Sequence, residues 1–192
     1  WSSDVCSSDL ESVAENFTDG VSGALFWALV GGLAGGPAGA AAAAMAFRAA
    51  NVLDATYGHR NERYERFGWA AARLDDALGL LPARLGVLGV AAAAFFTGEQ
   101  PWRALVTAWR DRKKHASPNS ALAEAAFAGA LGVALGGPAA YAGVVHDHPV
   151  LGDAQEPIAP AHIGRANRLL LASALVFTCA CAAAAVAWLG VP

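Results

Sequence analysis

The chemistry in this chain is confined to four polar stretches. In the first, Glu11 and Glu15 stand four residues apart, as do Ser12 and Asn16. On a helix each pair shares a face. Two carboxylates and an amide suit Mg²⁺, which takes oxygen ligands and keeps several waters; a solvated helix end is the competing reading. The second stretch, 48–76, sets Asn51 and Asp54 on one helical face with Arg48. Arg60, Arg63 and Arg66 then recur every third residue, with Tyr57, Tyr64 and Phe67 interleaved. That pattern could grip an anionic or flat ligand, although mixed Arg and Glu more often form a solvated face. Arg73 with Asp75 and Asp76 makes a tight charge group just before an apolar run. Ionisable groups at a membrane edge are costly and point to function.

In the third stretch, 99–124, Arg110, Arg112, Lys113 and Lys114 precede Ser117 and Asn119. Ser117 or Asn119 can cap the following helix, and cations beside a helix start suit phosphate oxygens. Glu124 lies at the mouth of the next apolar run. The fourth stretch, 146–168, opens with His146 and His148, two apart, a pair that could ligate a metal. Cys179 and Cys181 lie in the last apolar run and read as core residues, with no disulfide framework.

The elements that must position these groups are apolar. Of the 192 residues, 56% are hydrophobic and 15% charged, against about 25% charged in a soluble domain. This excludes a disordered or collagen-like chain. A net charge of -3 leaves no basic excess for a nucleic-acid backbone. A hydrocarbon core of about 30 Å takes roughly 20 helical residues, and residues 21–47, 125–145 and 169–192 are uncharged runs of that length. The pattern predicts an all-α, polytopic integral membrane helical bundle, with helices broken at Gly and Pro and a site built from polar loops. The Gly-Gly-Pro steps at 35–37 and 136–138 allow either close helix packing with a kink or a re-entrant pair of half-helices.

A fourth run, 78–98, carries Pro82 and Arg84, a poor composition for a span. Basic residues concentrate in 48–76 and 99–124, and only Arg165 and Arg168 fall in 146–168. The positive-inside rule places both rich stretches in the cytoplasm. Residues 78–98 are therefore expected to dip in and return, or to lie buried against other helices. Residues 21–47 are expected to bend at Gly35-Gly36-Pro37, which keeps 11–20 beside 48–76.

Residues 1–10 read as the translation of a sequencing adapter, and are no signal peptide, having acidic residues and no apolar core. They are set aside, with Cys6. Residues 11–192 are expected to form one membrane-embedded domain lacking its N-terminal part.

Several words then follow one another in order: Glu-Ser-Val-Ala-Glu-Asn-Phe-Thr-Asp-Gly at 11–20, Asn-Val-Leu-Asp-Ala at 51–55, and Tyr-Gly-His-Arg-Asn-Glu-Arg-Tyr at 57–64. Phe-Gly at 67–68, Ala-Ala-Arg-Leu-Asp-Asp at 71–76 and Pro-Ala-Arg at 82–84 come next. His-Ala-Ser-Pro-Asn-Ser at 115–120, Glu-Ala-Ala at 124–126, Leu-Gly-Gly at 135–137 and Tyr-Ala-Gly at 141–143 complete the set. The ordered set, running from Glu11 to about Arg168, resembles the adenosylcobinamide-phosphate synthase (CobD/CbiB) family of cobalamin biosynthesis. Ala121 stands where such proteins often have Gly, and Arg112 where a small residue is common.

The resemblance implies a carboxylate–amine ligase in the inner or plasma membrane, with its active-site loops cytoplasmic. It would join a carboxylate of the corrinoid adenosylcobyric acid to the amine of aminopropanol or its O-phosphate, using ATP and Mg²⁺. Membrane lipid and other membrane-bound cobalamin-assembly enzymes are the implied partners. A free carboxylate is a poor electrophile, so activation as an acyl phosphate is the natural route. No Walker-type loop occurs; the Gly-Gly-Leu-Ala-Gly-Gly-Pro segment at 31–37 has no Lys. The candidates for metal and amine are Glu11, Glu15, Asn16, Asp54, Asp75 and Asp76, with Asp75 and Asp76 as metal ligands. Those for phosphates are Arg60, Arg73, Lys114, His115 and Asn119, and Glu124 joins them as a substrate contact. Two other functions fit less well: a non-catalytic scaffold that binds a corrinoid, and a transporter lined by charges near broken helices.

Overall fold

The structure, a computed structural model, describes residues 3–58, 65–115, 117–141 and 144–190. Helix α1 is Ser3–Asn16, and a π-helical turn, Phe17–Ser22, joins it to α2, Gly23–Tyr57. Helices α3, Glu65–Thr97, α4, Pro101–Asp111, and α5, Ser120–Leu131, come next. An antiparallel hairpin of β1, Ala134–Tyr141, and β2, Val144–Gly152, leads to α6, Pro160–Leu189. Three helical stretches among the described residues are long and apolar enough to cross a membrane: Cys6–Tyr57, Arg66–Thr97 and Pro160–Leu189. The chain is a membrane helical bundle, with α3 packed against α2, α4, α5 and α6.

Within the first of those stretches the chain doubles back. Gly35 and Gly36 leave helical geometry, Gly36 at φ 62° and ψ -156°, a region only glycine enters readily. Pro37, with φ already set and no N–H to lose, starts the returning arm. A Cβ on Gly31 would fall on the carbonyl of Gly39, and one on Gly23 would fall on the ring of Phe47. The outgoing arm, about 12 residues, is about 18 Å long, well short of a bilayer core. Arg48 therefore returns beside its starting level and donates to the Asp19 carbonyl at 2.9 Å. The bend expected at Gly35-Gly36-Pro37 is present as a helical hairpin.

One other expectation is corrected and one is narrowed. Residues 125–145 do not form a span. Helix α5 stops at Gly132, which takes the left-handed cap at φ 72°. Gly136 and Gly137 also have positive φ, and the strands carry a bulge between Leu135 and Gly137. An apolar run this long can thus be a short core helix followed by a hairpin. Every residue of α5 from Ala121 to Leu131 is buried, as expected of an apolar helix of 10–14 residues. Of the two alternatives for 78–98, burial against other helices holds and the dip and return does not. Residues 78–97 continue α3, which at 33 residues is about 50 Å long; one face, including Ala83, Val90, Ala93 and Ala94, is buried in the bundle.

Pro82 is tolerated for a specific reason. A proline removes the N–H that would satisfy the carbonyl four residues back, here that of Leu78. The indole of Trp27 donates to that carbonyl at 3.0 Å. Arg84 is brought inward by donating to the Leu80 carbonyl at 2.6 Å and to Asn119 Oδ1 at 3.5 Å. In the core, Phe17 from the π turn meets Phe127 at 6.2 Å and Phe177 at 6.5 Å between ring centroids. Cys6 and Leu10 are buried in the same bundle, whereas Cys179 is exposed on α6 and is not the core residue expected.

Trp27→Phe should strand the Leu78 carbonyl and cost about 1–3 kcal/mol. In a Pro82→Ala background, where residue 82 supplies its own N–H, the same change should cost clearly less. Equal losses of melting temperature in both backgrounds, measured in detergent, would contradict this account of the proline.

Candidate functional site

Three of the four polar stretches meet in one cavity of about 130 Å³. Helix α1 contributes Glu11 and Glu15, one turn apart. The segment after α4 contributes Lys114 and His115, α5 contributes Glu124, and the hairpin closes the cavity with Gly136, His148, Pro149 and Leu151. Glu11 Oε1 accepts from Ser7 Oγ at 2.9 Å and from the Gly136 N–H at 2.8 Å, which ties α1 to β1. Lys114 Nζ donates to the Val150 carbonyl at 2.7 Å, so the opposite strand is tied as well.

Glu124 is only 8% exposed. Burial, then the negative charges of Glu15 and Glu11, and a hydrogen bond shared with Glu15 push its carboxyl up to about 8. At neutral pH it keeps its proton and donates to Glu15. The lining is thus bipolar: one wall of carboxyl groups, of which one is protonated, and one of Lys114, His115 and His148. Such a lining can hold a small molecule with an ammonium at one end and an anion at the other.

A residue absent from the sequence candidates positions this wall. Asp111 is fully buried. Arg110 grips it with two hydrogen bonds, of 2.9 and 2.8 Å, Lys114 pairs with it at 2.9 Å, and the Gly152 N–H donates at 2.9 Å. Burial alone would raise this carboxyl; the bonds from Arg110, Lys114 and Gly152 hold it well below the usual carboxylate range. In the sequence Asp111 sits between Arg110 and Arg112 and reads as part of a solvated charge run. Its place on the face of α4 shared with Ala104, Thr107 and Ala108 is the signal that could have found it.

A second polar cluster adjoins the cavity. Asp75 accepts from Asn51 Nδ2 at 3.5 Å, and Asn51 Oδ1 accepts from Arg48 at 2.9 Å. Asp19, Asp54 and Asp76 all press negative charge on Asp75. Asp76 accepts from Ser117 Oγ at 2.7 Å and lies 3.8 Å from Arg73, and its carbonyl accepts from Asn119 Nδ2 at 2.8 Å. As neighbours on a helix, Asp75 and Asp76 turn to different partners. Asn119 is the N-cap residue of α5 but makes no side-chain cap bond: its Nδ2 donates to the Asp76 carbonyl, and its Oδ1, the atom a cap would use, accepts from Arg84 at 3.5 Å. Asn16 is exposed at the end of α1 and is not among the residues that line the cavity, while Asp54 is half-buried in the last turn of α2. Arg60 and the side chain of His146 lie outside the described residues.

Among the described residues no three His, Cys, Asp or Glu side chains are grouped to hold a metal on their own. Mg²⁺ needs no such cage: one or two carboxylates with phosphate oxygens and water suffice. Asp75 or Asp76 can supply that carboxylate.

A protein-family model described as CobD/Cbib protein matches residues 2–170. Cobalamin biosynthesis protein CbiB of Salmonella typhimurium is 43% identical over 183 residues, covering 93% of this chain and 55% of its own. Cobalamin biosynthesis protein CobD of Klebsiella pneumoniae is 46% identical over 161 residues, covering 84% and 48%. The CobD protein of Desulfotalea psychrophila is 40% identical over 171 residues, covering 84% and 51%. The chain spans about half the length of the curated relatives it matches. No solved structure matches.

The raised Glu124 carboxyl has a consequence for stability. The folded chain holds this proton up to about pH 8, while an unfolded glutamate releases it at 4.5. Between those values the folded state binds more protons, so this contribution to stability is full below 4.5 and lost as pH rises through 8. Melting temperature in detergent should therefore fall from about pH 5 to about pH 9, and Glu124→Gln should flatten that slope. A Glu124→Gln protein with the wild-type slope would show that another group governs it.

Proposed function

The chain belongs to the CobD/CbiB family, and on that premise we propose that it carries the amine-binding part of a cobalamin-biosynthesis ligase. The reaction joins a carboxylate of adenosylcobyric acid to the amine of aminopropanol or its O-phosphate, with ATP as co-substrate. The bipolar cavity is the observation that carries this reading, because it can hold both ends of an amino alcohol phosphate. Glu11 and Glu15 face the ammonium, and Lys114 and His115 face the oxygen end.

An ammonium is no nucleophile until it loses a proton. Glu124 has a carboxyl tuned to about 8, close to the operating range of a general base. The incoming cation favours ionised carboxyls, so Glu124 gives its proton to solvent as the ammonium binds. It then takes one from the ammonium as the nitrogen attacks. ATP passes its γ-phosphoryl group to the adenosylcobyric acid carboxylate and leaves as ADP; the C–N bond then forms at the carbonyl carbon of this acyl phosphate, the C–O bond to phosphate breaks, and inorganic phosphate leaves. Mg²⁺, with Asp75 or Asp76 and phosphate oxygens as ligands, would neutralise charge on the phosphates. Ser117 and Asn119 fix Asp76, and Asn51 fixes Asp75. We place the site on the cytoplasmic side, where ATP and any neighbouring assembly enzymes would be met.

Amide formation from adenosylcobyric acid, aminopropanol phosphate and ATP, in membranes holding the full-length protein, tests the reading. Asp75→Asn and Asp76→Asn should each lower turnover by 10²-fold or more, several kcal/mol of transition-state stabilisation, while membrane insertion is unchanged. Glu15→Gln should raise KM for the amine more than it changes KM for ATP. Wild-type rates in both aspartate variants at saturating Mg²⁺ would remove them from the reaction.

A further inference from the structure

Helix α4 carries a surface that neither the cavity nor the bundle uses. Trp102, Val106 and Trp109 recur at i, i+4 and i+7 and so share one face; they are 74%, 47% and 63% exposed. At the end of the preceding helix, Phe95 and Phe96 are 73% and 75% exposed. The opposite face, with Ala104, Thr107, Ala108 and Asp111, is buried. There α5 comes so close that a Cβ on Gly129 would lie 2.5 Å from the Arg103 carbonyl and 2.8 Å from the Thr107 side chain.

The polar flank of α4 is tied to a water-facing segment. Arg103, in its first turn, reaches the carboxylate of Asp153 at 3.9 Å, and Arg110, in its last turn, reaches the same carboxylate at 2.7 Å. Asp153 belongs to an exposed segment, 153–157. Both ends of α4 therefore sit within reach of one water-facing carboxylate, with the tryptophans on the flank away from the packed face. Beyond Trp109 come cations: the Arg112 guanidinium stacks 4.0 Å above the Trp109 ring, and Lys113 is exposed. At 11 residues the helix is about 16 Å long, too short to cross a bilayer. It follows α3, a candidate membrane span, after only three residues.

A tryptophan-bearing apolar stripe flanked by Arg and Lys, on a short helix joined to a membrane span, fits the headgroup boundary of the bilayer. We propose that α4 lies in the plane of the membrane interface, with Trp102, Val106 and Trp109 seated at the junction of headgroups and acyl chains. Arg112 and Lys113 then stand at the lipid phosphates. Lys114 and His115 follow directly, so α4 moors the cavity at the membrane surface. The inference is independent of the reaction proposed above.

Variants retaining only Trp102 or only Trp109, the other tryptophans changed to Phe, are placed in phosphatidylcholine–phosphatidylglycerol vesicles. The lipids carry bromine near the headgroup, at mid-chain or near the chain end. Both tryptophans should lose most emission to the shallow bromines and least to the deep ones. Strongest quenching by deep bromines would put α4 inside the hydrocarbon core and overturn the proposal. So would emission insensitive to every brominated lipid, whether the face is open to water or covered by a second copy. A nitroxide on Val106→Cys, which keeps all the tryptophans, reads the same depth through its relative accessibility to oxygen and to a water-soluble nickel complex. Comparable access to both supports the interfacial seat, and access to only one of them overturns it.

Discussion

One buried carboxylate sets the geometry of the cavity. Asp111 has no exposed surface, and its charge is met by Arg110, Lys114 and the Gly152 N–H together. Losing one partner of such a buried group typically costs about 3–5 kcal/mol, since the remaining charge is left uncompensated. The three partners belong to the end of α4, the segment leading to α5, and the base of the β-hairpin. Fixing them at one point fixes the cation wall against the carboxyl wall on α1 and α5. The segment 114–124 carries the consequence: Lys114 and His115 face the cavity, Ser117 and Asn119 hold Asp76, and Glu124 completes the carboxyl wall.

The membrane-bundle architecture makes room for this arrangement by leaving two apolar runs short of a crossing. The α2 hairpin turns at Gly35 and Gly36 and returns Arg48 to Asp19. Helix α5 stops at Gly132 and hands over to the strands. In each case glycine supplies a backbone geometry that other residues resist, and polar groups are brought alongside one another. Helix α3 solves the opposite problem. Its buried proline is kept within a continuous helix because Trp27 satisfies the carbonyl the proline leaves bare.

Sequence patterning made much of this legible, and its failures have physical causes. Polar islands between apolar runs are costly in a membrane protein, so Glu11, Glu15, Lys114, His115 and Glu124 stood out, and they line one cavity. The hairpin at Gly35-Gly36-Pro37 was legible because Gly-Gly-Pro cannot continue a helix. Run length misread 125–145, because hydropathy scores a buried core helix plus an apolar hairpin the same as a span. Asp111 was hidden by its charged neighbours, which read as solvated. Local capping preference put Asn119 at the start of α5, where it stands, but could not show that its side chain turns to Asp76 and Arg84 instead of to the helix N–H groups. Pro82 argued for a break because no local pattern announces an indole 55 residues earlier in the chain.

The central claim is that Glu124 and Glu15 share one proton that an incoming ammonium displaces. Infrared difference spectroscopy on the membrane-reconstituted protein at neutral pH reads this directly. The account predicts a carbonyl band of a protonated carboxylic acid that is absent in Glu124→Gln and bleaches when aminopropanol phosphate is added. A wild-type protein without that band, or a band that the amine leaves unchanged, would contradict it.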